Sequence, residues 1–406
     1  MSDGQRLSRK LSRHAVMEAI LKSGPISRAA LSKETALSKQ TISEIVGALE
    51  AQGFVRQTGR THGHIGRTAV NYELVPEAAY VAAVDLGGTK IAVAMADLAC
   101  NLVAEGVAPT DPRGGQFVVD QIADLCRKAA LGKGIAVERI RLAVIGVPGS
   151  PDKATGRVLL VPNIADFDRM DVAAAFEKAF GAPVVLENDV NLGAVGEKWI
   201  GQGRGVDNLA YVALGTGTGS GLIVGGELLR GFGNAAGEIA FLPFGADPFD
   251  PASLGMGAFE RLAGSFGMVE LFRQRSGETV SVPALFEKAA AGVPAAIGVL
   301  DDTGKLLARG IAAIAAIANP EKVVLGGSIG LRTEMLERIR RYLPLCFPYP
   351  VTVEPALLGG RAAVIGAAAI GVGQLHGHLF EGNPPSGRLT LPPAGPLLAS
   401  VPENGE

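Results

Sequence analysis

Two glycine-rich turns constrain the fold of this 406-residue chain more than any other feature: VDLGGTK at 84–90 and LGTGTGSG at 214–221. Each lies between apolar runs of strand length. Residues 80–98, YVAAVDLGGTKIAVAMADL, read as strand, turn and returning strand, and residues 208–228 repeat the plan. Glycine lets backbone amides approach an anion, so such turns suit phosphate; plain hairpin turns are the bland alternative. IRLAVIGV at 140–147 is a further strand ending at Pro148-Gly149, and a helix over 171–180 leads to PVVLENDV, whose end exposes Asn188 and Asp189. KVVLGGSIG at 322–330 is a late strand with a glycine turn, preceded by an apolar helix over 306–318. Two strand–turn–strand halves in an α/β chain imply two lobes and a cleft between them.

The amino-terminal 74 residues have a different texture. Residues 9–22 place Leu11, Val16, Ile20 and Leu21 at helical spacing, Gly24-Pro25 stops that helix, and Ser27 precedes a short second one. Ser38 is a natural N-cap for a third helix over 38–53, in which Ile42, Ile45, Val46 and Leu49 fall on one face. Lys39, Gln40, Thr41 and Ser43 remain near its start, where the second helix of a helix-turn-helix meets base edges; Gln pairs well with adenine, while Lys and Ser suit phosphate or guanine. A strand from Phe54, a glycine-marked loop and a second strand make a wing carrying Arg60, His62, His64 and Arg67. Residues 1–70 hold 11 Lys/Arg against 5 Asp/Glu, whereas the whole chain has a net charge of −2. A basic module on an acidic body is the footprint of nucleic-acid binding at one end. A three-helix protein-interaction module is the competing reading.

Composition excludes several classes. Residues 1–14 are too polar for a signal peptide, no uninterrupted apolar stretch reaches spanning length, and a cytoplasmic chain is expected. Cys100, Cys126 and Cys346 are scattered, which fits a reducing compartment and argues against a cysteine zinc site.

Over roughly residues 80–372 the chain resembles the ROK family (repressors, open reading frames and kinases) of the actin-like ATPase and sugar-kinase superfamily. With the winged helix, nearly the whole chain resembles the family's repressor branch. Asp85-Leu86-Gly87-Gly88-Thr89 matches the first phosphate motif, Leu214 to Gly221 the second, and Gly326-Gly327 the adenosine turn. Asn163 in VPNI and Glu187-Asn188-Asp189 in ENDVN match the sugar-side motifs, and Glu238 in AAGEIAF matches the acid of GExGH. The resemblance implies a ribonuclease H-like body with lobes over 80–200 and 201–372. Nucleotide phosphates would lie on Gly87, Gly88, Thr89, Gly215, Thr216 and Gly217, with Asp85 near a Mg2+ ion. Asn163, Asn188, Asp189, Glu238 and Glu260 would hold a sugar, with Asp189 the general base if a phosphoryl group is transferred.

The chain also departs from this family. The His of GExGH is Phe241, and the three positions of the family's CxCGxxGCxE cluster hold Pro251, Ser253 and Ala258. No zinc is expected there. The loop would be held instead by packing of Phe241, Phe244, Phe249 and Phe259. The expected protein is therefore a repressor-like regulator that binds duplex DNA as a homodimer or dimer of dimers. A small carbohydrate-like ligand would control it through lobe closure, no cofactor is required, and no membrane is involved. The rival readings are an ATP- and Mg2+-dependent sugar kinase with an accessory DNA domain, and a ligand-free relic. Residues 75–80 read as a linker, and 373–406 as a Pro/Gly-rich tail.

Overall fold

The structure, a computed structural model, describes residues 3–62, 68–152, 154–161 and 164–380. Its amino-terminal module has helices Asp3–Ser23, Arg28–Thr35 and Lys39–Ala51. The sheet is three-stranded: Ile26–Ser27 pairs with Thr68–Leu74, which pairs antiparallel with Val55–His62. Ser27 and Ser38 cap the second and third helices, accepting from Ala30 N at 3.2 Å and Thr41 N at 3.1 Å. Val16, Ile20, Leu31, Ile42, Val46 and Leu49 are buried between helices and sheet, as the apolar spacing requires. Residues 63–67, with His64 and Arg67 of the wing, lie outside the described residues, as does Asn163.

The body repeats one sheet topology. In the first lobe the order is Leu102–Pro109, Lys90–Asp97, Tyr80–Leu86, Ile140–Val147, Val184–Asn188; in the second it is Glu227–Leu228, Thr218–Val224, Leu209–Leu214, Lys322–Gly326, Thr352–Pro355. Each sheet is an antiparallel meander of its first three strands, with two further strands parallel to the first on its other side. The duplicated glycine turns thus mark a duplicated fold. The strand Leu102–Pro109 has no counterpart in the sequence reading because only Ala104 in it is fully buried and apolar residues do not alternate with polar ones along it.

Two helices pack in backbone contact between the sheets. Asp189–Ile200 follows the last strand of the first lobe, and Ala362–Phe380 closes the described chain. A Cβ on Gly196 would strike the Ala362 carbonyl oxygen, and one on Gly366 the Leu192 carbonyl oxygen. Gly371 lies against Val81 and Val144 of the first sheet. The closing helix therefore returns to the first lobe, so the expected lobe boundary at 372 and tail from 373 are both corrected: 373–380 continues this helix, with Leu375, His376 and Phe380 buried. By length and composition 359–380 could span a bilayer, yet 67% of its apolar window is buried in the protein core that such a composition serves. The apolar stretch 306–318 is the end of a longer helix, Pro294–Ala318, in the core of the second lobe.

Residues 75–80 are not a tether. Pro76–Ala78 forms a 3-10 turn. Leu98 N donates to Pro76 O at 3.0 Å, Arg139 Nη1 to Glu77 O at 3.0 Å, and Arg56 pairs with Glu73 and Glu77. One apolar cluster continues from Val16, Ile20 and Leu49 of the module to Leu375 and Phe380 of the closing helix. Module and body share a core.

Candidate functional site

The facing ends of the two sheets leave a cavity of about 300 Å3. From the first lobe come Gly88, Gly149, Asn188 and Asp189; from the second come the turn 215–220, Glu238, Phe241, Glu260 and Gly327. Among the described lining residues there is no Lys, Arg or His. Asn188, Asp189, Glu238, Glu260, Gly88, Gly215, Thr216, Gly217 and Gly327 are thus brought together as the motifs imply. Asp85, Gly87, Thr89 and Gly326 do not line it. Gly326 instead makes room for Tyr211, whose hydroxyl a Cβ would strike, and Gly87 N donates to Lys90 O at 2.9 Å in the hairpin.

Local structure fixes each group. Asn188 caps the helix Asp189–Ile200: Oδ1 accepts from Val190 N at 2.9 Å and Asn191 N at 3.0 Å, while Nδ2 donates to Gly149 O at 2.9 Å. Most of its hydrogen-bonding capacity is spent on the fold, which limits it as a ligand contact. Burial, then the charge of Asp85, then that of Glu238, push the Asp189 carboxyl up to about 8. The shift favours the protonated, hydrogen-bond-donating form of this carboxyl in the free cleft over the form a general base needs. Burial raises Asp85 to about 6, opposed by Lys90. Glu238 is raised by burial and then by Glu260; Glu260 is raised by burial, partly offset by its bonds from Thr218.

The second glycine turn is already engaged. Thr218 N donates to Glu260 Oε2 at 2.6 Å, and Gly215 N to Gly217 O at 3.0 Å. A Cβ on Gly217 would meet the Glu260 carboxylate at 2.7 Å. A protein carboxylate thus sits where the turn was expected to cradle phosphate.

The loop after Phe241 also differs from its expected packing. Phe249 is 91% exposed and Phe241 is 37% exposed, so neither braces it; Phe259 is 1% exposed and meets Phe244 edge-on at 5.6 Å. Polar bonds do the rest: Arg261 Nη1 donates to Asp250 Oδ2 at 2.9 Å and Ser253 Oγ at 2.8 Å, and Ser253 Oγ donates to Asp247 O at 2.6 Å. Phe241, Pro251, Ser253 and Ala258 do not fit a zinc ion, and among the described residues no group of three or more His, Cys, Asp or Glu is arranged to hold a metal.

Sequence reasoning missed the bridge across the cleft. Arg230 Nε donates to Glu187 Oε2 at 2.7 Å, Ser150 Oγ to Gly233 O at 2.9 Å, and Asn234 Nδ2 to Pro151 O at 2.7 Å. Glu187 Oε1 in turn accepts from Asn188 N and Asn191 Nδ2. The loop 230–234 of the second lobe is therefore bonded to the strand end that presents Asp189. A lone Arg before a glycine loop was the only hint.

On the amino-terminal module, Lys39, Gln40 and Ser43 are exposed on the third helix. Ser38 and Thr41 are tied into its cap, their hydroxyls 2.8 Å apart. Gln40 Nε2 donates to Glu44 Oε1 at 3.1 Å, and Arg28 Nη1 to Ser43 Oγ at 3.1 Å, so Arg28 and Glu44 join the surface that the sequence assigned to DNA. Arg60 lies in the strand Val55–His62.

A model of the ROK family matches residues 81–373, and one of the MarR family matches residues 8–64. The chain is 26% identical to the xylose repressor of Bacillus subtilis (strain 168) over 388 residues, 90% of this chain and 96% of that one. It is 30% identical to the glucokinase of Thermotoga maritima over 309 residues, 71% of this chain and 95% of that one. A solved ROK family transcriptional regulator, described as a homologue of the E. coli Mlc protein, shares the fold with a TM-score of 0.73 at 23% identity, over 92% of this chain and 98% of its own.

Proposed function

The chain belongs to the ROK family, and from that premise we propose that it is a DNA-binding transcriptional repressor of carbohydrate-related genes, controlled by a small neutral sugar between the lobes. The observation that carries this reading is a capped, outward-facing recognition helix in one continuous core with a carboxyl-lined cleft. Asp189, Glu238 and Glu260 suit sugar hydroxyls, whereas the absence of a cation among the described lining residues disfavours sugar phosphates and sugar acids. Phe241 offers an apolar surface to the C–H face of a sugar ring. The repressor relative points to a pentose such as xylose.

A sugar bonded to Asp189 on one lobe and to Glu238 and Glu260 on the other binds the closed cleft better than the open one, so it shifts the lobes toward closure. In a homodimer on an inverted repeat, that rotation changes the spacing of the two recognition helices and loosens the operator without touching a base contact. Such a regulator acts in the cytoplasm. A thermal-shift screen of neutral sugars, sugar phosphates and ATP–Mg2+, followed by DNA-binding assays with each stabilising compound, tests it. Stabilisation only by phosphorylated ligands, or a stabilising sugar that leaves DNA affinity unchanged, would count against the reading.

The second reading, a sugar kinase, rests on Asp189 and on the kinase relative. A magnesium nucleotide would supply the transferable phosphoryl group, held at Gly88 and the second glycine turn, since Asp85 and Gly87 do not line the cleft. Against it stand an Asp189 carboxyl whose affinity for its proton is raised and a second turn engaged by Glu260. Phosphate transfer across a sugar panel, with Asp189→Asn as blank, decides it: turnover lost in that variant promotes the kinase.

A further inference from the structure

We propose that Gly47 is a seating point of the DNA complex, where the backbone of the recognition helix passes so close to the duplex that a Cβ would hold the helix out of the groove. The inference rests on the DNA-binding reading above and adds to it a position with no side chain. Glycine is, proline apart, the least favourable residue inside a helix, yet Gly47 lies within Lys39–Ala51. Nothing among the described residues asks for it there. A Cβ built on Gly47 meets no heavy atom within 4 Å, and its backbone is not in the left-handed region. Several glycines of the longer helices have a neighbour that excludes a side chain, as Gly193 has Tyr211 and Gly310 has Phe259, whereas Gly255, in the six-residue helix Pro251–Met256, is open like Gly47.

Its place on the helix says what approaches. Ile42, Ile45, Val46 and Leu49 are buried against the module, and Gln40, Ser43 and Glu44 are exposed on the opposite stripe. Gly47 stands three residues after Glu44, four after Ser43 and seven after Gln40, so it continues that outward stripe. Seven residues carry it about 10 Å along the axis from Gln40. If Gln40 is at the groove floor, Gly47 is where the helix passes the groove's sugar–phosphate edge. Bare backbone there lets the helix sink far enough for Gln40 to reach a base. A shallower, non-specific complex makes no such demand.

The test uses the full chain, with Gly47→Ala and the bulkier Gly47→Leu. The probes are a duplex selected by the unmodified protein from a randomised pool and a random duplex of equal length. Because the surrounding space is open, Gly47→Ala melts at or above the parent temperature. Affinity for the selected duplex falls at least about tenfold with Ala and further with Leu, the size of a lost base contact, while binding to the random duplex changes far less. Parental affinity of Gly47→Ala for the selected duplex overturns the proposal. So does a change of oligomeric state by light scattering with DNA affinity intact, which would place Gly47 in a protein interface. If the unmodified protein enriches no duplex at all, the DNA reading itself has failed, a result distinct from either.

Discussion

Asp189 is where the cleft's carboxyl chemistry and the fold's stability oppose each other. Its ordinary pKa is near 4, and in the fold it is pushed up to about 8. Between those values the native chain binds a proton that the unfolded chain has released, so this group's contribution to stability falls as pH rises from about 4 to 8. Asp189→Asn, which needs no proton, is expected to stabilise the ligand-free protein above pH 7 by on the order of 1–2 kcal/mol, with little effect at pH 4. The figure is well below the full shift because the carboxyl is partly open to the cleft. Thermal melts of both proteins across that range check it, and equal stabilities at pH 8 would refute it. Gln40 gives a second outcome. Gln40→Ala should weaken a selected duplex by about 1–3 kcal/mol and a random duplex much less, if the amide leaves Glu44 for a base. Site residues such as Asp189, Glu238, Glu260 and Gly88 were legible in the sequence because their chemistry restricts residue type within short motifs. Arg230 was not, nor was its bridge to Glu187, a residue the motif had assigned to the sugar side, because a salt bridge between separate elements leaves no spacing to read. Phe249 misled for a related reason: an aromatic residue in a loop looks like a brace until the fold turns it to solvent.

At the scale of elements, the strands and helices legible in advance were those with an unbroken apolar run, such as the doubly buried strand Ile140–Val147, or with one buried face, such as the helix Lys39–Ala51. The closing helix was hidden by its own composition. In AAVIGAAAIGVGQLHGHLF small and apolar residues surround the axis, because one side meets the first sheet and another meets the helix Asp189–Ile200. Its glycines reveal its role only once the partner is seen. Gly366 sits where a Cβ would overlap the Leu192 carbonyl, a backbone atom that cannot turn aside. Gly366→Ala is therefore expected to destabilise the protein by about 1–3 kcal/mol or more through forced separation of the helices, despite alanine's better helix propensity. Gly47→Ala, the same substitution in an open helix, should act in the opposite direction. Chemical denaturation of the pair provides the comparison, and a neutral Gly366→Ala would mean that the crossing is looser than described.

At the scale of the molecule, the question is how a filled cleft reaches the recognition helix. The path is continuous. Asp189 begins a helix that crosses the closing helix at Gly196 and Gly366, and the closing helix ends against the amino-terminal module. There Phe380 meets Phe54 edge-on at 5.5 Å, just after the recognition helix ends, and Arg13 Nη2 donates to Leu379 O at 3.1 Å. His376 Nε2 donates to Leu98 O at 2.7 Å in the same joint, and burial pulls that imidazole down to about 4. An ordinary histidine near 6.5 takes up a proton in the unfolded chain that this one refuses. Its contribution is therefore intact above about pH 6.5 and is lost as pH falls toward 4, by up to about 3 kcal/mol. The expected outcome is acid loosening of the joint, read as protection of the Phe54 and Leu98 amides, relative to their intrinsic exchange rates, falling below pH 6. The sharper test removes the contact itself. Phe380→Ala deletes a ring in the joint without touching the cleft or the outward face of the recognition helix. Sugar affinity should stay within about twofold in DNA-free protein, and the selected duplex should still bind. What should collapse is the coupling, the ratio of DNA affinities with and without sugar, because a coupling free energy needs an element whose arrangement both sites bias. A Phe380→Ala protein that still releases its duplex fully on sugar binding would show that the signal travels by another route, such as rotation at the dimer interface.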